Sequence, residues 1–193
     1  QFNLHYFNWS IDWIKESISM GFWSKKGSYV EYLIDDWIKN NKLGYGDGWH
    51  SYTISIRIRN LICIYRFLPE VRNQNRIKSL WIQLNWLDKH IEFFHKGNHL
   101  LENLISLSFV SIQFDGKKAN NIFKRNIELL KLELNKQIMS DGGHVERSAA
   151  YHLIILERLS ELALIIRLVK KHIPKWLKEK IILMNNWVEN IKL

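Results

Sequence analysis

Scarcity of helix breakers constrains this chain more than any other feature. Proline occurs twice in 193 residues, at Pro69 and Pro174, so long stretches run free of the residue that lacks an amide donor and clashes with the preceding turn. Leu, Ile, Lys, Asn and Glu fill those stretches, a mixture that suits helices. Apolar spacing divides the chain into about eight helical segments. The first runs from a Ser10 cap to Gly21, the second from near Ser28 to Gly44, and the third over Thr53–Leu68. In the third, Ile54, Ile58, Leu61, Ile62 and Tyr65 keep helical spacing, while Ile54, Ile56 and Ile58 also alternate as a strand would. Further segments cover Asn75–Phe94, Asn98–Phe114, Lys117–Met139 and Arg147–Lys171. The last opens at Pro174, a favoured first-turn residue. No strand-rich region or solenoid repeat is visible, so the expected class is all-α, built of antiparallel helical hairpins joined by short loops. The final helix reaches the end with Trp187 and Ile191 still in phase, which suggests a chain cut from something longer.

Composition removes several alternatives. A chain that is 47% hydrophobic and 13% aromatic is not a disordered one. Cys63 stands alone, which excludes a disulfide scaffold. The longest apolar tract, Leu159–Val169, is interrupted by Ser160, Glu161 and Arg167, so no membrane insertion is expected. No signal-peptide pattern opens the sequence, which does not begin with Met. Neither glycine-rich phosphate motif nor HExxH occurs, so no cofactor or metal is expected. Asp35 and Asp36 read as a solvated helix edge. The formal charge of +9, from 28 Lys+Arg against 19 Asp+Glu, fits nucleic acid, an anionic polysaccharide, a membrane surface, or solubility alone.

Three places break the helical grammar: Gly44–Ser51 (GYGDGWHS), Lys96–Asn103 (KGNHLLEN) and Ser140–His152 (SDGGHVERSAAYH). Each sets glycines beside His, Trp, Asn or Tyr, the composition of loops that carry function, though caps and turns account for the glycines equally well. In the second, Gly97 ends one helix and Asn98 reads as the N-cap of the next. His99, Glu102, Asn103 and Ser106 then share one stripe of an otherwise apolar helix, so they are either satisfied by partners or face a cleft. An Asn and a His at a helix N-terminus suit a carboxylate; the plainer alternative is a cap plus a His99–Glu102 hydrogen bond. In the third loop Arg147 begins a helix, with Tyr151 and Arg158 on the same face. A guanidinium one turn from a phenol favours the phenolate; a tyrosine packed beside a salt bridge is the alternative. His144 and His152 flank this stretch. Trp49, His50 and Tyr52 offer rings for stacking on sugars, or for core packing.

The blocks FNLHYFNW (Phe2–Trp9), WHSYTISIRIRNLI (Trp49–Ile62), GNHLLENLISL (Gly97–Leu107) and DGGHVERSAAYHLIILE (Asp141–Glu157) resemble, in order and spacing, the N-terminal helical domain of the heparinase II/III family. The resemblance implies an incomplete (α/α) toroid spanning residues 1–193 as a single helical domain, similar to that of alginate lyases. The C-terminal β-sandwich domain of such proteins is absent from this chain. It implies a polysaccharide lyase that cleaves a uronic-acid-containing glycan by β-elimination, with an acidic polysaccharide as partner and a periplasmic or cell-envelope location. Asn98 and His99 match the positions that neutralise the uronate carboxylate, and Tyr151 the acid/base. Glu102 matches a polar position near the neutraliser, and a second base comes from beyond residue 193. Arg147, His144, His152, Trp49, His50 and Tyr52 stand as substrate-binding candidates. A non-catalytic glycan-binding or surface-polysaccharide assembly protein on the same scaffold is the alternative. Nucleic acid is not expected as a partner, because the basic residues avoid the three loops.

Overall fold

Every regular element among the residues that the computed structural model describes, 2–19, 23–95 and 97–191, is a helix. Side chains are described at all of these except 2, 17, 18 and 23–28. The expected end of the first segment at Gly21, and Lys96 of the second loop motif, lie outside the described residues. The all-α expectation holds: the one extended pairing among the described residues is an isolated bridge between Ile138 and His144. The chain divides into two compact units, Gln1–His90 and Ile91–Leu193.

The first unit contains α1 (Phe2–Tyr6), α2 (Asn8–Ser19), α3 (Trp23–Asn40), α4 (Ser51–Phe67) and α5 (Gln74–Lys89), with 3₁₀ turns at Asp47–Trp49 and Pro69–Val71. Two expectations are corrected at its start. A short helix, α1, precedes the first expected segment, and Phe7, at φ 60°, breaks the chain between α1 and α2. Ser10 is not a cap but lies inside α2, where its hydroxyl donates to the Phe7 carbonyl at 2.6 Å. The strand-like alternation of Ile54, Ile56 and Ile58 has a physical cause: α4 is buried on almost every side, so both faces are apolar. Its fully buried Arg57 lies 4.0 Å above the Trp37 ring and 5.9 Å from that of Trp49. Its Nε donates to Gln83 Oε1 at 2.7 Å. Asp35 is also more than a solvated edge. Arg76 of α5 grips both its carboxylate oxygens, at 2.8 and 2.6 Å, and reaches Glu31 at 2.8 Å. This bidentate geometry ties α5 to α3.

The second unit contains α6 (Asn98–Ser111), α7 (Lys117–Gln137), α8 (Ala149–Lys170) and α9 (Lys175–Ile191). α6 is buried along nearly its whole length and packs against α7 and α8; α9 packs against both of those. The α7–α8 connection folds back on itself. Met139 N–H donates to the Gly143 carbonyl and Val145 N–H to the Gln137 carbonyl, both at 2.9 Å. The Asp141 carboxylate receives the Gly143 N–H at 2.9 Å. Gly142, at φ 94°, lies so close to the Leu183 backbone that no Cβ fits there. This explains the double glycine: one position needs a left-handed backbone and close approach to α9.

Candidate functional site

The start of α6 and the start of α8 carry the candidate chemistry, and both lie in the second unit. At α6 the local reading needs one shift. Gly97, at φ 114°, is the cap residue, with α5 already ended at Lys89, and Asn98 is the first residue of the helix rather than its N-cap. The helix terminus does hold a carboxylate, as its chemistry favours, but the carboxylate is internal. Glu146 Oε1 accepts the Asn98 N–H at 3.1 Å. A Cβ at residue 97 would displace that same oxygen, and the φ of 114° is what requires glycine there. Sequence reasoning missed Glu146; its place between His144 and Arg147 in the third loop was the available signal.

Beyond half-exposed His99, the polar stripe of α6 is buried and satisfied rather than open. Asn103 is fully buried; its Oδ1 accepts the Glu92 N–H at 3.0 Å and its Nδ2 donates to the Glu92 carboxylate at 3.4 Å. Glu92 then faces His99, with Oε1 3.7 Å from Nδ1. The His99 side chain remains 43% exposed. Asn103 therefore positions Glu92, whose carboxylate lies beside His99 Nδ1 but beyond hydrogen-bond distance. Glu92 was also missed, because it lies outside the helical stripe that led to its partners. Glu102 is buried; it accepts from Ser106 at 3.2 Å and lies 3.8 Å from Arg158 of α8.

At α8 the expected start at Arg147 is corrected. Arg147 has φ 52° and precedes the helix. Ser148 is the cap, its hydroxyl accepting the Tyr151 N–H at 3.4 Å. Arg147 and Tyr151 therefore do not share a helical face, and the Arg147 guanidinium is not set one helical turn from the phenol. Arg158 turns instead to Glu102, Glu157 and Glu161. Tyr151 occupies the first turn of α8 and is 43% exposed.

The two histidines of this stretch are both buried. His144 Nδ1 accepts the Glu146 N–H at 3.3 Å, so its proton sits on Nε2 and is donated to Gln137 Oε1 at 3.0 Å. His144 thus holds Glu146, which in turn caps α6. Burial keeps its pKa below the ordinary value; nearby Glu146 opposes that shift and His152 reinforces it. His152 Nε2 lies 3.1 Å from the Met184 carbonyl, and its ring packs on Trp187 with centroids 4.3 Å apart. Burial lowers its pKa as well, against the smaller opposing influences of the Met184 carbonyl and Asp141. With no exposed face, His152 fixes α8 to α9.

In the first unit, Trp49 is buried against Trp37 and Trp86, with centroids 6.0 and 5.5 Å away, and so serves core packing rather than an open surface. His50 is exposed at the cap of α4, and half-buried Tyr52 meets Tyr6 edge-on at 6.4 Å. Among the described residues no group of three or more His, Cys, Asp or Glu is placed to hold a metal, and no helix is long and apolar enough to cross a membrane.

The comparisons agree with this helical frame. The chain belongs to the heparinase II/III family, whose N-terminal region matches residues 8–192. Its fold is similar to that of heparinase III, with a TM-score of 0.75 and 22% identity over 96% of this chain and 30% of that one. It is equally similar to heparan sulfate lyase HepC from Pedobacter heparinus, at a TM-score of 0.76 and 22% identity over 100% of this chain and 32% of that one. FtsZ-localized protein C from Caulobacter vibrioides is 21% identical over 138 residues, covering 71% of this chain and 24% of that protein. The chain thus spans a third or less of each of these relatives. The fold is that of a helical toroid, of which these residues form an incomplete part, as expected.

Proposed function

We propose that this chain forms the carboxylate-recognising part of a polysaccharide lyase that cleaves a uronic-acid-containing glycan by β-elimination. One observation carries the reading: α6 and α8 pack directly together, and each presents a polar side chain at its N-terminal turn. These are His99, half-exposed beside the Glu92 carboxylate, and Tyr151, exposed beside the Ser148 cap.

In the reaction the C5 proton of the uronate is removed, the C4–O glycosidic bond breaks, and a C4=C5 double bond forms. The leaving oxygen takes a proton. The carboxylate at C5 opposes proton removal until its charge is balanced. The Asn98 amide and the His99 ring supply that balance as side chains, because the first N–H of α6 is already given to Glu146. Tyr151 protonates the leaving oxygen, as general acid. Glu102 and Arg158 brace α6 against α8 behind these groups. The substrate is an acidic polysaccharide and the setting the periplasm or cell envelope. A C-terminal β-sandwich and a second base complete the catalyst.

The test is the near-ultraviolet absorbance of the unsaturated uronate released by the full-length protein from heparan sulfate, alginate or a bacterial surface glycan. Wild-type product that disappears in Tyr151→Phe supports the reading; full activity in Tyr151→Phe removes Tyr151 from the chemistry. A second reading is favoured by the likeness to FtsZ-localized protein C: a non-catalytic glycan-binding or assembly protein on the same scaffold. Glycan binding by the full-length protein with no absorbing product supports that one.

A further inference from the structure

The first unit carries a polar pocket that the elimination chemistry does not use. It encloses about 510 Å³ between the end of α1, the end of α3 and the GYGDGW loop, and is lined by Leu4, His5, Asn41, Lys42, Tyr45 and Asp47 among others. Tyr45 stands 78% exposed at its rim. It lies between Gly44 and Gly46, both at positive φ of 75° and 76°.

This loop is held in place rather than loose. Tyr45 N–H donates to the Lys42 carbonyl at 3.1 Å and Trp49 N–H to the Gly46 carbonyl at 3.0 Å. A Cβ on Gly44 would approach the Trp86 ring to 2.5 Å, and one on Gly48 would lie 3.0 Å from His5 Nδ1 and 3.3 Å from Asn41 Oδ1. Loop, His5 and Asn41 are therefore packed to a fixed distance. A ring carried on a fixed loop costs little backbone freedom when something stacks on it.

The polar groups are fixed too. Trp37 Nε1–H donates to His5 Nδ1 at 3.0 Å, so the neutral His5 ring carries its proton on Nε2 and offers a donor. Asn41 Nδ2 donates to the Trp37 carbonyl at 2.8 Å, so its amide oxygen remains as an acceptor. Burial, then the Arg57 charge, hold the His5 pKa below its ordinary value, with Asp47 opposing. Lys42 and Asp47 bring one positive and one negative charge to the lining. The pocket thus combines one exposed aromatic face with a neutral donor, a neutral acceptor and one side chain of each charge. It does not suit a simple anion, and it does suit a ring with an apolar C–H face and hydroxyls around its edge.

We propose that this pocket is a binding subsite for a hydroxyl-bearing pyranose residue of a glycan, stacked on Tyr45 and hydrogen-bonded by His5, Asn41 and Asp47. The proposal needs no elimination step and holds for a catalytic or a non-catalytic protein. The experiment is calorimetric titration of the full-length protein with three hexasaccharides: heparan-derived, alginate-derived and cellohexaose. At least one binds wild type; Tyr45→Ala weakens it by about tenfold, the size of one aromatic contact, and Tyr45→Phe changes it by less than about twofold. Since Tyr45 is exposed, neither variant threatens folding, and thermal unfolding of each confirms this. Equal binding by wild type and Tyr45→Ala overturns the proposal, as does failure of all three sugars to bind. Product absorbance measured in parallel separates the two readings. Tyr45-dependent binding without unsaturated product keeps this subsite and removes the lyase reading; product formation with Tyr45-independent binding does the reverse.

Discussion

The loops GYGDGWHS and SDGGHVERSAAYH are alike in sequence: each sets glycines beside nitrogen-bearing rings and a tyrosine. The structure sorts them in the same way. The first buries Trp49 against Trp37 and Trp86, and the second buries His144 and His152. Each leaves one tyrosine outside, Tyr45 in the first and Tyr151 in the second. The buried rings anchor each loop: Trp49 by packing between Trp37 and Trp86, His144 and His152 also by meeting the Gln137 amide and the Met184 carbonyl. The exposed tyrosine is the side chain left free to meet a ligand. The loops differ in what surrounds that tyrosine. Tyr45 projects from a turn between positive-φ glycines, beside neutral polar groups, whereas Tyr151 sits in the first turn of a long helix, near a capped helix N-terminus. The first environment suits stacking, and the second is where the proposed proton transfer is placed.

The sharpest way to break this comparison is Tyr151→Phe. Loss of a general acid lowers kcat by about 10²- to 10⁴-fold. Because the side chain is 43% exposed and only its backbone N–H is bonded to Ser148, the unfolding temperature stays within about a degree of wild type. A variant that unfolds early while keeping kcat per folded molecule would place Tyr151 with the anchors. Trp49→Ala is the converse case. Removing a buried tryptophan costs about 3–5 kcal/mol, read as a lower denaturant midpoint. A destabilisation below about 1 kcal/mol would mean that the Trp37–Trp49–Trp86 cluster does not hold its loop.

The same contrast explains what was legible in the sequence. Helical class and the positions of α6 to α9 follow from 3.6-residue periodicity, which survives wherever one face is more buried than the other. α4 gave an ambiguous reading because its burial on both faces erases that asymmetry. Asn98, His99 and Tyr151 stood out as candidates because each lies beside a glycine or a cap, where sequence punctuates structure. Glu92 and Glu146 were not. Their importance comes from pairings with His99 and Asn98 across 7 and 48 residues, and nothing in local spacing encodes such distances. The burial of Trp49 was equally hidden, since a loop tryptophan that stacks on sugar and one that wedges a core look the same in one dimension.

A smaller effect tests whether the second loop depends on its internal carboxylate. Gly97→Ala forces a Cβ against Glu146 and a side chain into φ 114°. Backbone strain of this kind costs about 1–3 kcal/mol. Glu146→Gln keeps the acceptor and loses only the charge at the helix terminus, worth about 0.3–1 kcal/mol. Chemical denaturation of both variants separates the terms. Gly97→Ala no less stable than wild type would show that Glu146 can leave the helix end without penalty.

The smallest effect is the pH response of the buried anchors. His144 and His152 both have pKa values lowered by burial from the ordinary 6.5. Below that value the unfolded chain takes up protons that the folded chain resists, so unfolding is favoured as pH falls. The contribution is fully present above pH 6.5 and is lost as pH drops toward the depressed folded values. Between about pH 6.5 and 5.5 the loss amounts to about 1 kcal/mol, the scale of one proton over one pH unit. Thermal unfolding across that window should show a falling midpoint, and the fall should be shallower in His152→Gln, which removes one of the two resisting rings. His5 in the first unit is lowered as well, so part of the slope survives that substitution. An unchanged slope in His152→Gln would mean that His152 accepts a proton in place, which would take it out of the set of anchors and make it a titrating group of the second loop.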